Sequence, residues 1–357
     1  MTLASVANTI QSMVLSRTNT GSKPLVLLAS GAQLFTDISY GLLSKIDRSV
    51  PSASSRIDRI LMDHRDAHRD DTADVQKVAI VTGANSGIGF VTANALARAG
   101  YQTILACRNP ELAQEALDTL KRQTGLENFE VMQLDLASLE SVNGFVKQFK
   151  AKYETLDILV NNAGVMMCPY SQTKDGTEMQ FGINHIGHFA LTTQLLDSLK
   201  AAKGGARIVN VASLASYMTT GIDYSAIEDK ENYDRNNNYA MAKLANVTFS
   251  NALARKLQGT NVTVNSLHPG SIKTNLTRHV GTGAIMDTIF NMVLIDAQAG
   301  ALTSIYLALS PDVEGASGKY YSRCEATNPH PKALDEAEQD RLWKYSENLV
   351  AKKHASM

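Results

Sequence analysis

Val78-Ala-Ile-Val-Thr-Gly-Ala-Asn-Ser-Gly-Ile-Gly89 opens with four small and β-branched residues, a run that suits a strand buried on both faces. Thr82 and Gly83 break that run, and Gly87 and Gly89 follow in close order. Ile88, Val91, Ala95 and Ala99 then fall on one helical face, with Gly100 in the place of a C-cap. Strand, glycine turn and helix N-terminus in that order make a cradle for phosphate. Glycine lets the backbone come close, while free N–H groups and the helix dipole favour negative charge. Glycines also cluster in ordinary turns, but their placement between a buried strand and a helix points to a dinucleotide fingerprint.

Working outward from this stretch, strands and helices alternate. Gln102 to Ala106 reads as the second strand, and Asn109-Pro110 opens the next helix with an N-cap and a first-turn proline. Strands follow at Phe129 to Leu134, Leu156 to Val160, Arg207 to Val211, Val262 to Leu267 and Gly318 to Tyr321. Helices are predicted from about Leu139 to Tyr153, Asn184 to Leu199, Tyr239 to Leu257 and Glu338 to Val350, the last packing back on the sheet. This rhythm predicts an α/β fold, a Rossmann-type doubly wound parallel sheet of about seven strands. It forms a single domain, residues 75–357, behind an N-terminal extension, residues 1–74. Ligands of such sheets lie at the carboxyl ends of the strands, where their order reverses.

Composition excludes several classes. The 357 residues carry 34 Lys and Arg against 35 Asp and Glu, so no basic block invites nucleic acid. Cys107, Cys168 and Cys324 are odd in number and widely spaced, with neither a disulfide framework nor a metal-ligand pattern. No stretch holds ~18 or more uninterrupted apolar residues, as a spanning helix needs. His64 and His68 lie four apart but lack a third ligand nearby, so the reading is a solvated helix and no metal. His64-Arg65-Asp66 matches a kinase triplet but precedes the glycine motif and carries nothing.

The extension has no acidic residue before Asp37 and is rich in Ser and Thr from Ser5 to Ser22. Pro24 to Leu43 is moderately apolar, Pro51 to Ser55 reads as a linker, and Arg56 to Asp71 mixes charges of both signs. Three readings stand side by side: organellar targeting, peripheral contact with an intracellular membrane, and plain packing. The compartment is accordingly open between cytoplasm, membrane surface and organelle.

Two further places carry chemistry. The second strand ends in Cys107-Arg108, where a carboxylate would accept ribose hydroxyls. A guanidinium there clamps a 2′-phosphate, so NADP(H) is favoured over NAD(H). Asp135, ending the third strand, is placed to meet the adenine edge. In Tyr239-Ala-Met-Ala-Lys243, positions i and i+4 share a helix face, so phenol and ammonium project together. A nearby cation stabilises phenolate and brings a pKa near ~10 toward the working range.

Thr82-Gly-x-x-x-Gly-x-Gly89, Asn161-Asn-Ala-Gly164, Ser213 after a Val-Asn-Val-Ala strand end, Tyr239-x-x-x-Lys243 and Pro269-Gly270 occur in one order. From about Lys77 to the C-terminus this set resembles the short-chain dehydrogenase/reductase family. Leu159-Val-Asn-Asn-Ala-Gly-Val-Met-Met-Cys-Pro-Tyr170, Phe181-Gly-Ile-Asn-His-Ile-Gly-His-Phe189, Ala106-Cys-Arg108 and Lys243-Leu-Ala-Asn246 resemble its retinol dehydrogenase branch. The resemblance implies an NADP-dependent enzyme with a catalytic tetrad. Tyr239 would be general acid/base, Lys243 would bind the nicotinamide ribose and Ser213 would stabilise charge on the substrate oxygen. Asn184 would hold a water linking Lys243 to solvent. It implies a dinucleotide site lined by Thr82, Gly83, Ser86, Gly87, Ile88, Gly89, Asn162, Ala163, Gly164, Pro269 and Gly270, with Thr274 at the nicotinamide carboxamide.

Ala212 replaces the first of the two serines usual in the family motif. The insert carrying Tyr217, Tyr224 and Tyr233 is expected to form one wall of the substrate pocket, and the methionine-rich segment from Thr274 to about Gln298 a lid or a core helix. Family members often pair through two long helices, which implies a homodimer. The expected function is hydride transfer between nicotinamide and a carbonyl/alcohol carbon of a lipophilic substrate such as a retinoid, steroid or aldehyde. Two alternatives accompany it: a light-dependent protochlorophyllide-type double-bond reductase, and a non-catalytic NADP(H)-binding sensor or scaffold.

Overall fold

The computed structural model describes residues 51–69, 76–270 and 296–354. Thr274, most of the methionine-rich segment and residues 1–50 lie outside the described residues.

Eight strands form one sheet: β1 Val78–Thr82, β2 Gln102–Cys107, β3 Phe129–Gln133, β4 Ile158–Asn161, β5 Ala206–Val211, β6 Val262–His268, β7 Tyr320–Ser322 and β8 Glu325–Thr327. Their order is β3-β2-β1-β4-β5-β6-β7-β8. Strands β1 to β7 pair in parallel, and β8 returns antiparallel to β7. The chain builds outward from β1 to β3 and then crosses to β4, so the order reverses between β1 and β4.

Alternation along the strands feeds two cores. Val78 and Ile80 join Ile104, Met132, Leu159 and Ile208 on one face. Ala79 and Val81 join Leu105, Val160, Val209 and Leu267 on the other. The second face is covered by α1 Ala53–Ala67, α2 Gly87–Arg98, α3 Pro110–Thr124 and α7 Ala297–Leu309. The first is covered by α4 Leu139–Lys152, α5 His188–Lys200 and α6 Arg235–Lys256. The terminal helix α8 Glu336–His354 lies over these helices and not directly on the sheet. There Trp343 meets Phe189 and Phe249 at ring separations of 5.1 and 5.9 Å.

Several local expectations hold. Asn109 caps α3 by accepting the Leu112 N–H at 2.9 Å, Pro110 takes the first turn, and Gly125 ends the helix at φ 70°. Others change. Helix α1 starts at Ala53, capped by the Ser52 hydroxyl, so the expected linker is largely a helix start. It packs on α7 and α2, and His64, expected on a solvated face, is buried with Nδ1 2.9 Å from the Leu309 carbonyl. The eighth strand was not expected, because its turn places Arg323 and Cys324 at φ 53° and 65° without the usual glycine or asparagine.

The helix expected from Asn184 begins earlier, as Met179–Phe181, and passes through a π-helical segment, Gly182–Gly187, into α5. Such single π turns insert a residue and re-aim side chains, often at functional sites. Close packing accompanies this one: a Cβ on Gly187 would stand 2.5 Å from the Leu136 carbonyl oxygen. Helix α6 also starts four residues before Tyr239, at Arg235, with the Asp234 carboxylate accepting the Asn236 N–H at 2.9 Å.

Gly187→Ala is expected to destabilise the protein by about 1–3 kcal/mol, the cost of overpacking against a backbone that cannot yield. Gly144→Ala, whose Cβ would point into open space within α4, should be neutral or stabilise by up to about 1 kcal/mol. Urea unfolding of both variants checks the contrast; equal effects would refute the close contact at Gly187.

Candidate active site

At the carboxyl end of β1 the chain turns tightly through Gly83 and Gly87, with φ of 66° and 57°. A Cβ on Gly89 would lie 2.4 Å from the Gly83 carbonyl oxygen and 2.6 Å from Asn162 Nδ2, so only glycine fits. Ser86 is the exposed N-cap of α2 and makes no side-chain cap bond, while Ile88 is buried. Asn162 Nδ2 donates to the Thr82 carbonyl at 2.8 Å. The Thr82 hydroxyl accepts the N–H groups of Asn162 and Ala163, each at 2.9 Å. Thr82, Gly83, Gly87, Ile88, Gly89, Asn162 and Ala163 therefore form one tight unit across the reversal point.

Arg108 is exposed at the end of the neighbouring strand β2, its carbonyl accepting from Gln133 Nε2 at 3.2 Å. Asp135, just past β3, accepts the Ala137 N–H at 3.1 Å and pairs with Lys174 at 3.3 Å. Glycine turn, guanidinium and carboxylate thus stand at three adjacent strand ends.

On the other side of the reversal, β4 ends in Asn161, whose Nδ2 donates to Thr192 Oγ1 and Asn210 Oδ1 at 2.9 and 2.7 Å. The π segment directs Asn184 onto the loop after β4. Its Oδ1 accepts the Val165 N–H and its Nδ2 donates to the Val165 carbonyl, both at 2.9 Å. A Cβ on Gly164 would lie 2.8 Å from Asn184 Oδ1 and 3.7 Å from Lys243 Nζ, which brings asparagine, lysine and glycine to one spot. Both side-chain groups of Asn184 are thus occupied by backbone.

Tyr239 and Lys243 project from one face of α6, as their spacing predicts, and both are buried. The Tyr239 phenol hydrogen-bonds the half-buried Ser213, which follows β5. Burial pushes the phenol up to about 12, with the Ser213 bond working against it. The expected depression by Lys243 is not what this geometry produces. Lys243 Nζ donates to the Val211 carbonyl at 3.0 Å and stands 5.9 Å from the Tyr239 ring centroid. Burial without a counter-charge draws the ammonium down to about 8.

Pro269 and Gly270, the latter at φ 91°, follow β6 and are half-buried. Just before them His268 Nδ1 accepts the Leu214 N–H at 3.1 Å, bracing the backbone beside Ser213. The glycine turn, Arg108, Asp135, Asn162, Ser213 and Pro269-Gly270 thus follow the carboxyl ends of β1 to β6.

Two residues the sequence reading passed over join this assembly. His188 is fully enclosed, with Nε2 2.9 Å from Thr82 Oγ1 and Nδ1 3.1 Å from the Asn184 carbonyl. Burial draws it down to about 4, so it is neutral. With Thr82 Oγ1 accepting two N–H groups, its own proton goes to Nε2 and the ring N–H on Nδ1 goes to Asn184. Its spacing of four from Asn184 was the one available signal. The other is Gln180, buried beside the loop after β4.

Residues 77–284 match the family model described as short chain dehydrogenase. Human retinol dehydrogenase 14 is 43% identical over 291 residues, spanning 77% of this chain and 86% of its own. Short-chain dehydrogenase TIC 32 B, chloroplastic, of Brassica napus is 43% identical over 281 residues, 76% of this chain and 88% of its own. Among solved structures, an uncharacterized protein from Mycobacterium Paratuberculosis superposes with a TM-score of 0.61 at 33% identity, over 78% of this chain and 94% of that one. With the Rossmann-type sheet already in view, the chain belongs to the short-chain dehydrogenase family and is an oxidoreductase.

Proposed function

We propose that the protein is an NADP(H)-dependent oxidoreductase that moves hydride between the nicotinamide and a carbonyl/alcohol carbon of a lipophilic substrate. The observation that carries this reading is the meeting of Ser213, Tyr239, Lys243 and Asn184 beside the glycine turn. A dinucleotide fits this edge because Gly83 and Gly89 leave room where any side chain would collide, at the uncapped start of α2. Thr82, Ser86, Gly87, Ile88, Asn162, Ala163, Gly164, Pro269 and Gly270 complete the proposed lining, with Thr274 beyond the described residues. Arg108 supports a 2′-phosphate, since no acid stands at the end of β2 to repel it.

A nicotinamide bound at this edge would supply or accept the hydride. Ser213 Oγ and the Tyr239 phenol together hold the substrate oxygen, and Tyr239 delivers or removes its proton. Held at about 12, the phenol is protonated at neutral pH, the form that carbonyl reduction requires. Lys243, on the same face of α6, is assigned to the nicotinamide ribose. Asn184 fixes the Gly164-Val165 backbone next to that lysine. A lipophilic substrate is favoured by the half-exposed Val165, Met166 and Met167 after β4 and by the likeness to human retinol dehydrogenase 14. For residues 1–74 targeting, membrane contact and packing stay side by side, with packing supported for α1, which docks on α7 and α2.

Tyr239→Phe keeps the ring and removes the acid. NADPH oxidation with retinal should fall by roughly 10²–10⁴-fold, while the NADPH dissociation constant stays within about threefold. A variant that retains turnover would refute the proton role. Arg108→Asp should weaken NADPH by at least about tenfold and leave NADH unchanged or improved, since one lost charge-assisted pair is worth about 1.4 kcal/mol or more. Equal changes for both cofactors in calorimetry would remove the arginine argument.

A further inference from the structure

Met167 has φ 49°, in the left-handed region, within the loop that leaves β4. Methionine has no short polar side chain to support that conformation locally, so its surroundings must hold it. They do so through one buried amide. The Met167 N–H donates to Gln180 Oε1 at 2.7 Å. Gln180 is wholly buried, and its Nε2 donates to the Tyr233 hydroxyl at 2.7 Å and to the Arg235 carbonyl at 2.9 Å. A backbone N–H on one side and a carbonyl on the other fix the orientation of that amide.

The Tyr233 hydroxyl accepts from Gln180, so its own proton goes to the Cys168 carbonyl at 2.9 Å, nearer than Glu178 Oε1 at 3.3 Å. Glu178 in turn accepts the Gln180 and Phe181 N–H groups and anchors this turn. Two neighbouring residues, through Met167 N–H and Cys168 C=O, are thus gripped by one pair of side chains. Gln180 also holds the first turn of α6, one helical turn ahead of Tyr239. The near end of the loop is held by Asn184 through Val165. Between these anchors Val165, Met166 and Met167 are half-exposed, although Gln180 and Asn184 behind them are buried.

We propose that Gln180 and Tyr233 are positioning residues that set Val165–Met167 as an apolar wall of the substrate pocket. They fix that wall relative to Tyr239 and so favour an extended lipophilic carbonyl compound over a short one. This rests on the carbonyl chemistry proposed above. Loss of the clamp lets the loop leave the strained conformation, which removes contacts along a long substrate while the reacting carbonyl stays in place.

The test compares the full chain with Tyr233→Phe, which keeps the ring, and Gln180→Leu, which keeps the volume. Backbone hydrogen exchange over residues 163–170, without cofactor or substrate, should quicken about tenfold in both. With NADPH, the KM for retinal should rise about tenfold, that for butanal stay within twofold, and the NADPH dissociation constant stay unchanged. Unchanged exchange over this loop overturns the clamp whatever the activity. Equal losses for both aldehydes overturn its role in selection. If the unaltered protein reduces neither aldehyde, the carbonyl reading fails, and exchange alone still decides whether the pair holds the loop.

Discussion

At the point where the strand order reverses, the Thr82 hydroxyl accepts the N–H groups of Asn162 and Ala163 and gives its proton to His188. All of its hydrogen-bonding capacity is used in one place, and each partner belongs to a different part of the site. Asn162 and Ala163 carry the turn after β4, Gly83 follows Thr82 into the glycine turn, and His188 leads through its other nitrogen to Asn184. The crevice exists because the chain leaves paired β1 and β4 toward opposite faces of the sheet, and this hydroxyl ties the two exits together. A valine would fill the same space but leave the Ala163 N–H without its acceptor and the Asn162 N–H with the Val160 carbonyl alone.

The electrostatics of Tyr239 and Lys243 follow from burial more than from mutual attraction. Tyr239 and Lys243 share a helix face, yet burial disfavours phenolate and ammonium alike and drives each toward its neutral form. The ammonium is held by a backbone carbonyl, and burial alone draws its pKa down. Below about pH 8 the folded chain therefore carries a buried cation at some cost to stability. That cost lessens as pH rises from about 8 toward the ordinary lysine value, the direction linkage requires for a base whose folded pKa is lowered.

Much of this was readable from residue order. Buried apolar runs made β1 to β6 visible, glycine spacing placed the turn, and the interval of four put Tyr239 and Lys243 on one face. What stayed hidden depends on distant partners or rare backbone. The π segment Gly182–Gly187 leaves no apolar period of its own and moved the helix start ahead of Asn184. The polar run Arg235 to Asn238 gave no sign that α6 had already begun, although Asp234 was a suitable cap. Arg323 and Cys324 form a hairpin turn without its customary residues. His64 was read on a solvated face and Gln180 was passed over, but each finds a backbone partner far along the chain, Leu309 and Arg235.

In the proposed reaction, this edge of the sheet would bring a carbonyl carbon to the nicotinamide with its oxygen held by Ser213 and Tyr239. Isotope transfer tests it most directly: retinal is reduced with NADPH dideuterated at nicotinamide C4, and the product is analysed by mass spectrometry and NMR. One deuterium per turnover on the former carbonyl carbon is the predicted result. A reduced product without deuterium, or with deuterium on a chain or ring carbon, would contradict the account.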